Sequence, residues 1–196
     1  MKKWFLFILG MILVGMAGLY TVGRMLVGQP YTIMSRSMLP LLKPEDVVFC
    51  FGEDARALTY GDVVVYTHPS EKAEGAKFIK LVVGFGGDTI QVKGGNLWIN
   101  GKAVASRSAG QFEIPGDNGH KVPRFEETFP DGVQSSILIE DPESPVNNTA
   151  PVEVPANHIF VIGSFRDNSS DSRITSAHGM VPVENIICKL EQPEEG

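Results

Sequence analysis

Three segments of this chain hold residues whose types and spacing could carry out acyl transfer: "SRSMLP" with Ser35 and Ser37, "FIKLVVGF" with Lys80, and "GSFRDNSSDSR" from Gly163 to Arg173. A serine hydroxyl is a weak nucleophile until a base takes its proton, and a lysine amine can be that base when burial favours its neutral form. Lys80 is the one charge among Phe78, Ile79, Leu81, Val82 and Val83, and strand alternation puts it on the side of Phe78 and Val82. Taken alone, such a residue is more commonly an edge-strand lysine snorkelling to solvent. The third segment crowds Arg166, Asp167, Asn168, Ser169, Asp171, Ser172 and Arg173 together. It reads either as a solvated loop or as a buried buttress of carboxylate–guanidinium pairs with a hydroxyl that can orient an amine.

Other chemistries lack their residues. None of the four histidines, His68, His120, His158 and His178, accompanies a Gly-x-Ser-x-Gly elbow, and neither HExxH nor paired CxxC occurs. No metal or other cofactor is expected. "GFGGD" from Gly84 to Asp88 lacks the Lys-Ser/Thr ending of a phosphate loop and reads as a tight turn. A net charge of -6 speaks against a nucleic-acid partner.

The elements that must position these residues are mainly strands. "DVVFCF", "GDVVVYTH", "KFIKLVVGF", "DTIQVKGGNLWING" and "HIFVIGSF" are short β-branched and aromatic runs bounded by turn residues. Gly94-Gly95 and Asn100-Gly101 are placed for hairpin turns. From about Ser106 to Pro155 the composition shifts to Pro, Gly, Asp, Glu and Ser, which predicts a small inserted β lobe. The expected organisation is an anchor at 1–24, a β core at 25–105 and 156–190, the lobe at 106–155 and an acidic tail at 191–196. Cys50 and Cys188 both fall in strand-like runs, so they are either disulfide-bonded in an oxidising compartment or two buried thiols.

Trp4 to Val22 carries no charge, the length of a membrane-spanning helix. A cleavable secretion signal is the rival, but the apolar run continues past the small-x-small site at Gly15-Met16-Ala17. Lys2 and Lys3 against Arg24 orient the N-terminus to the cytoplasm and the remainder to the outer face.

Together the segments resemble type I signal peptidases, membrane-anchored serine proteases that remove signal peptides from exported proteins. The nucleophile box stands as "SRSMLP", the Gly-Asp strand as "GDVVVY", the lysine box as "FIKLVVGFGGD", and the last box as "GSFRDNSSDSR" followed by "GMVPVENIICKL". The resemblance implies a mainly β domain behind a transmembrane helix, with exported preproteins and membrane lipid as partners. It implies location in the inner membrane, with catalysis on the periplasmic or extracytoplasmic side. By position it makes Ser37 the nucleophile, Lys80 the general base, Ser35 with the Ser37 amide the oxyanion hole, Ser169 the group that orients Lys80, and Asp171 with Arg173 a supporting ion pair. Tyr31, Ile33, Met34, Met38, Leu42, Phe78 and Ile79 match the substrate pockets for small residues before the cut.

The chain departs from the family's pattern at Arg36 between the serines, at Leu81 after the lysine, and at Ser164-Phe165 before Arg166. The alternatives to a general signal peptidase are a relative with one dedicated substrate, such as a pilin or conjugation protein, and a non-catalytic anchored module of the same fold.

Overall fold

The computed structural model describes Trp4, residues 8–16, Gly18, and residues 28–51, 58–70, 73 and 75–190. Trp4, residues 8–16 and Gly18 are helical and exposed, and among the described residues no helix is long and apolar enough to cross a membrane. Much of the expected span Trp4–Val22, the tail 191–196 and residues 52–57 lie outside the described residues.

Beyond that helix the described residues fold mainly as β-structure, in four antiparallel sheets, with short 3-10 turns at Pro145–Asn147 and Val183–Asn185. A hairpin of β1 (Gln29–Thr32) and β2 (Val47–Cys50) brackets the segment that holds Ser35 and Ser37. A sheet in the order β13-β12-β4-β3-β14 is built from β3 (Val63–Thr67), β4 (Lys77–Phe85), β12 (His158–Ile162), β13 (Val181–Pro182) and β14 (Ile186–Leu190). A second, in the order β11-β5-β6-β7, comprises β5 (Thr89–Lys93), β6 (Asn96–Ile99), β7 (Lys102–Ala103) and β11 (Val152–Glu153). The third, in the order β10-β9-β8, comprises β8 (Ala105–Glu113), β9 (Lys121–Thr128) and β10 (Gln134–Leu138). Of the stretch read as an inserted lobe, residues 105–138 form this third sheet, whereas β11 returns to pair with the edge of β5.

Both hairpin turns foreseen in the meander form. Gly94 and Gly95 have φ of 56° and 80°, and Asn100 and Gly101 have 52° and 76°, the paired positive values that match the twist of two-residue hairpins.

Period-2 alternation sorts the five-stranded sheet into two apolar faces. Val63, Val65, Leu81, Val83, Phe160 and Ile162 pack toward Ile90, Val92, Leu97 and Ile99 of the second sheet. Val64, Tyr66, Val82, Ile159 and Val161 form the other face, where Phe78 packs and where Lys80 stands in register with Val64. Cys50 of β2 is disulfide-bonded to Cys188 of β14, with Cα atoms 5.8 Å apart, which decides between the two readings of the cysteines. The bond ties the hairpin around Ser37 to an edge of the main sheet.

Candidate active site

Ser37 lies in a turn pinned from both sides. Met38, next in sequence, is buried in the main core, while Leu39 packs with Ile114, Val122, Leu138 and Phe165 beneath the third sheet. The Leu42 N–H donates to the Met38 carbonyl at 2.8 Å, and the Phe165 N–H donates to the Ser37 carbonyl at 3.1 Å. Two cores and a partner loop therefore fix the backbone of this one serine.

Lys80 projects from the middle of β4 and is only 3% exposed; Ser37 is 6% exposed. The amine nitrogen lies 2.8 Å from Ser37 Oγ and donates to the Ile79 carbonyl at 3.0 Å. Burial pulls its pKa from the ordinary 10.5 to about 8, with Asp171 opposing the shift and Arg173 reinforcing it. A buried Tyr66–His178–His68 hydrogen-bonded string packs behind Phe78. Burial, and then the neighbouring His68, push the His178 pKa down to about 4, so the ring is neutral at neutral pH.

The Ser35 hydroxyl is 3.0 Å from Ser37 Oγ. The Ser37 backbone N–H has no partner among the described residues. Both are donors available to an oxygen held beside Ser37 Oγ.

The segment Gly163–Arg173 is a buried buttress, not a solvated loop. Asp171 accepts the Gly163 N–H at 2.9 Å and two bonds from the Arg173 guanidinium, each at 2.9 Å. Burial opposes ionisation of Asp171, but the Arg173 charge and these hydrogen bonds prevail and hold its pKa below the ordinary carboxylate value. Arg173 also donates to the carbonyls of Val146 and Arg166 at 3.0 and 2.7 Å. Arg166 is fully buried and pairs with Glu127 of β9, also fully buried, while bonding the Gly163 carbonyl at 3.0 Å.

Ser169 is buried beside Gly163, but its hydroxyl makes no hydrogen bond to Lys80. A Cβ built on Gly163 would meet the Ser169 side chain and would stand 2.6 Å from the Ser37 carbonyl oxygen. Only glycine lets nucleophile turn and buttress approach this closely.

A cleft of about 410 Å³ opens over the dyad. Of the side chains expected in the substrate pockets, Ile33, Met34, Met38, Phe78 and Ile79 line it; Leu42 is buried in the core and Tyr31 packs against that core. Thr32, Lys77, Asn168 and Ser170 also line the cleft and were missed. The sequence contains a partial signal for all four, since Thr32 and Lys77 directly flank matched pocket positions and Asn168 and Ser170 flank Ser169.

At the departures Arg36, Leu81 and Phe165 the side chains point away from Ser37 Oγ and Lys80 Nζ, although the Phe165 N–H holds the Ser37 carbonyl. Leu81 packs on the sheet face opposite Lys80. Arg36 turns from the nucleophile and bonds Asp117 at 3.1 Å and the Pro115 carbonyl at 3.2 Å. Phe165 fills the small core under the third sheet.

The family described as "Signal peptidase, peptidase S26" matches residues 1–193. The signal peptidase I of Rickettsia prowazekii (strain Madrid E) is 28% identical over 196 residues, covering 86% of this chain and 72% of the relative. That of Pseudomonas aeruginosa PAO1 is 34% identical over 185 residues, covering 82% and 62%. A crystal structure of a signal peptidase I from Enterococcus faecalis V583 aligns with 68% of this chain and 97% of its own, at 18% identity and a TM-score of 0.40.

Proposed function

The chain belongs to the peptidase S26 signal peptidase family and is a serine peptidase of the signal peptidase I type, and we propose that it cuts exported preproteins after small-x-small sites, with Ser37 as nucleophile and Lys80 as base. The observation that carries this assignment is the 2.8 Å approach of a buried, largely uncompensated amine to a buried hydroxyl.

In this reading an extended peptide lies in the cleft between residues 32–34 and 77–79, where shallow apolar walls exclude large side chains. Neutral Lys80 takes the Ser37 proton as Oγ attacks the carbonyl carbon. The oxyanion is held by the Ser37 N–H and the Ser35 hydroxyl. The protonated amine then hands its proton to the leaving nitrogen, and a second cycle with water releases the acyl group. Asp171 and Arg173 act through the backbone they lock, and Ser169, whose hydroxyl makes no bond to Lys80 in the free chain, would have to turn toward the amine to orient it.

The uncharged run Trp4 to Val22 anchors the chain in the inner membrane, with the β domain on the outer face. Met34, Val47, Phe49 and Phe51 are exposed on and beside the β1–β2 hairpin, which fits a surface lying against lipid. Residues 105–138 form a lobe that supports the nucleophile turn through Leu39.

Incubating detergent-solubilised chain with a secretory precursor, and weighing the products, tests the assignment. A cut after a small-x-small site that disappears in Ser37→Ala is the expected result. Turnover that persists in that variant would remove Ser37 from the reaction.

A further inference from the structure

Resting on that reading, the structure also offers a place for the part of the substrate that follows the cut. A second cavity, of about 330 Å³, lies against the nucleophile turn, lined in part by Arg36, Asp117, His120, Glu140, Asp167 and Asn168. Asn168 lines the dyad cleft as well, so the two spaces meet at one side chain. The serines and the arginine alternate along the turn: Ser35 and Ser37 face the first cavity and Arg36 faces the second. A polypeptide whose carbonyl carbon sits at Ser37 Oγ has to continue past this turn, and the second cavity is the adjoining recess.

Its chemistry is uneven in charge. The carboxylates of Asp117, Glu140 and Asp167 stand against the Arg36 guanidinium and the His120 imidazole. Asp117 is paired with Arg36 at 3.1 Å and Glu140 with His120 at 2.7 Å, all four being between 38% and 49% exposed. Such half-exposed pairs are weak, and an incoming cation can take over a carboxylate at little cost. Asp167 accepts N–H bonds from Glu140, Asp141 and Asn147, which fixes it but leaves its charge facing the same wall.

We propose that this cavity is the subsite for the first residues after the cut, and that it favours a basic side chain there over an acidic one. Arg36, the departure between the two serines, then serves to position this subsite through its bond to the Pro115 carbonyl, which does not depend on Asp117.

The test uses the full chain and a precursor peptide carrying Lys, Ser or Asp at each of the first three positions after the cut. The ratio of kcat/KM for Lys over Asp should reach about five-fold at one position or more, the scale of a half-exposed ion pair. In the double variant Asp117→Asn, Glu140→Gln it should fall to within about two-fold, as loss of such pairs requires. Taking the ratio within one protein cancels any loss of folded fraction. A ratio near one throughout, or one that the variant leaves unchanged, overturns the subsite. Binding of the same peptides to Ser37→Ala, read by fluorescence polarisation, keeps the two readings apart. A Lys preference in binding without any turnover by the unmodified chain would defeat the peptidase assignment while supporting the cavity; equal binding would defeat the cavity alone.

Discussion

Lys80 Nζ stands 2.8 Å from Ser37 Oγ, and its other hydrogen-bond partner is its neighbour's carbonyl, that of Ile79, and not a carboxylate. The amine is thus buried without a contacting counter-ion, which is why its pKa falls to about 8. Only the neutral amine can accept a proton, so kcat/KM should rise tenfold per pH unit below about 8 and level off above it. A pH profile on a precursor peptide reads this directly, and equal rates at pH 6 and 9 would contradict it. Lys80→Arg should be as inactive as Lys80→Ala, because a guanidinium keeps its proton throughout this range.

The same burial has a cost in stability. The unfolded chain holds the Lys80 proton up to 10.5 and the folded chain only to about 8, so the lysine lowers stability by about 3 kcal/mol wherever both forms are protonated. Between those values the unfolded state binds more protons, and stability rises with pH. Lys80→Met should therefore raise the denaturation midpoint at pH 7, and the advantage should shrink by pH 9.5. An advantage that does not change with pH would mean that packing, not charge, produces it.

Ser35→Ala removes one of the two donors assigned to the oxyanion. The expected loss is about 100-fold to 1,000-fold in kcat with little change in KM. A change confined to KM would instead place Ser35 in ground-state binding.

Gly163→Ala should damage catalysis through the backbone. The added methyl would press on Ser169 and on the Ser37 carbonyl, and crowding of this kind costs about 1 to 3 kcal/mol. With Ser37 displaced from Lys80, kcat should fall more than melting temperature predicts. Wild-type turnover in this variant would show that the turn and buttress can separate without consequence.

Glu127→Ala leaves the fully buried Arg166 guanidinium without its partner and should destabilise the fold by about 3 to 5 kcal/mol. Glu127→Gln, which keeps an acceptor, should lose less. Urea denaturation of the three proteins gives the order, and an alanine variant as stable as the native chain would contradict the role.

The β-structure was legible because it follows from local pattern. The lone charge in "FIKLVVGF" acquired meaning only beside the serine and polar segments, whereas β4 covers Lys77–Phe85 as the apolar run suggests. Gly94-Gly95 and Asn100-Gly101 specified their turns for the same local reason. What could not be read were partners distant in sequence. Glu127 lies in an ordinary charged strand, and nothing near it reveals that Arg166 waits 39 residues further on. Arg36 looked like a cation beside the nucleophile, yet side-chain direction in a turn depends on the loop at 115–117, which the residues around Arg36 do not encode. Gly163 was legible as part of a polar box but not as the point of closest approach between two segments, since that constraint exists only once both are packed.

The order of strands in the main sheet also bears on the protein's own synthesis. β4 lies between β3, made before it, and β12, made some seventy residues later, and the buttress that closes over Ser37 follows β12. Until those late segments dock, the Lys80 amine is open to water and keeps the proton that water favours, so under the proposed assignment Ser37 would have no base. On that assignment a nascent chain emerges from the ribosome inert, and its proteolytic power comes with the completion of its own fold.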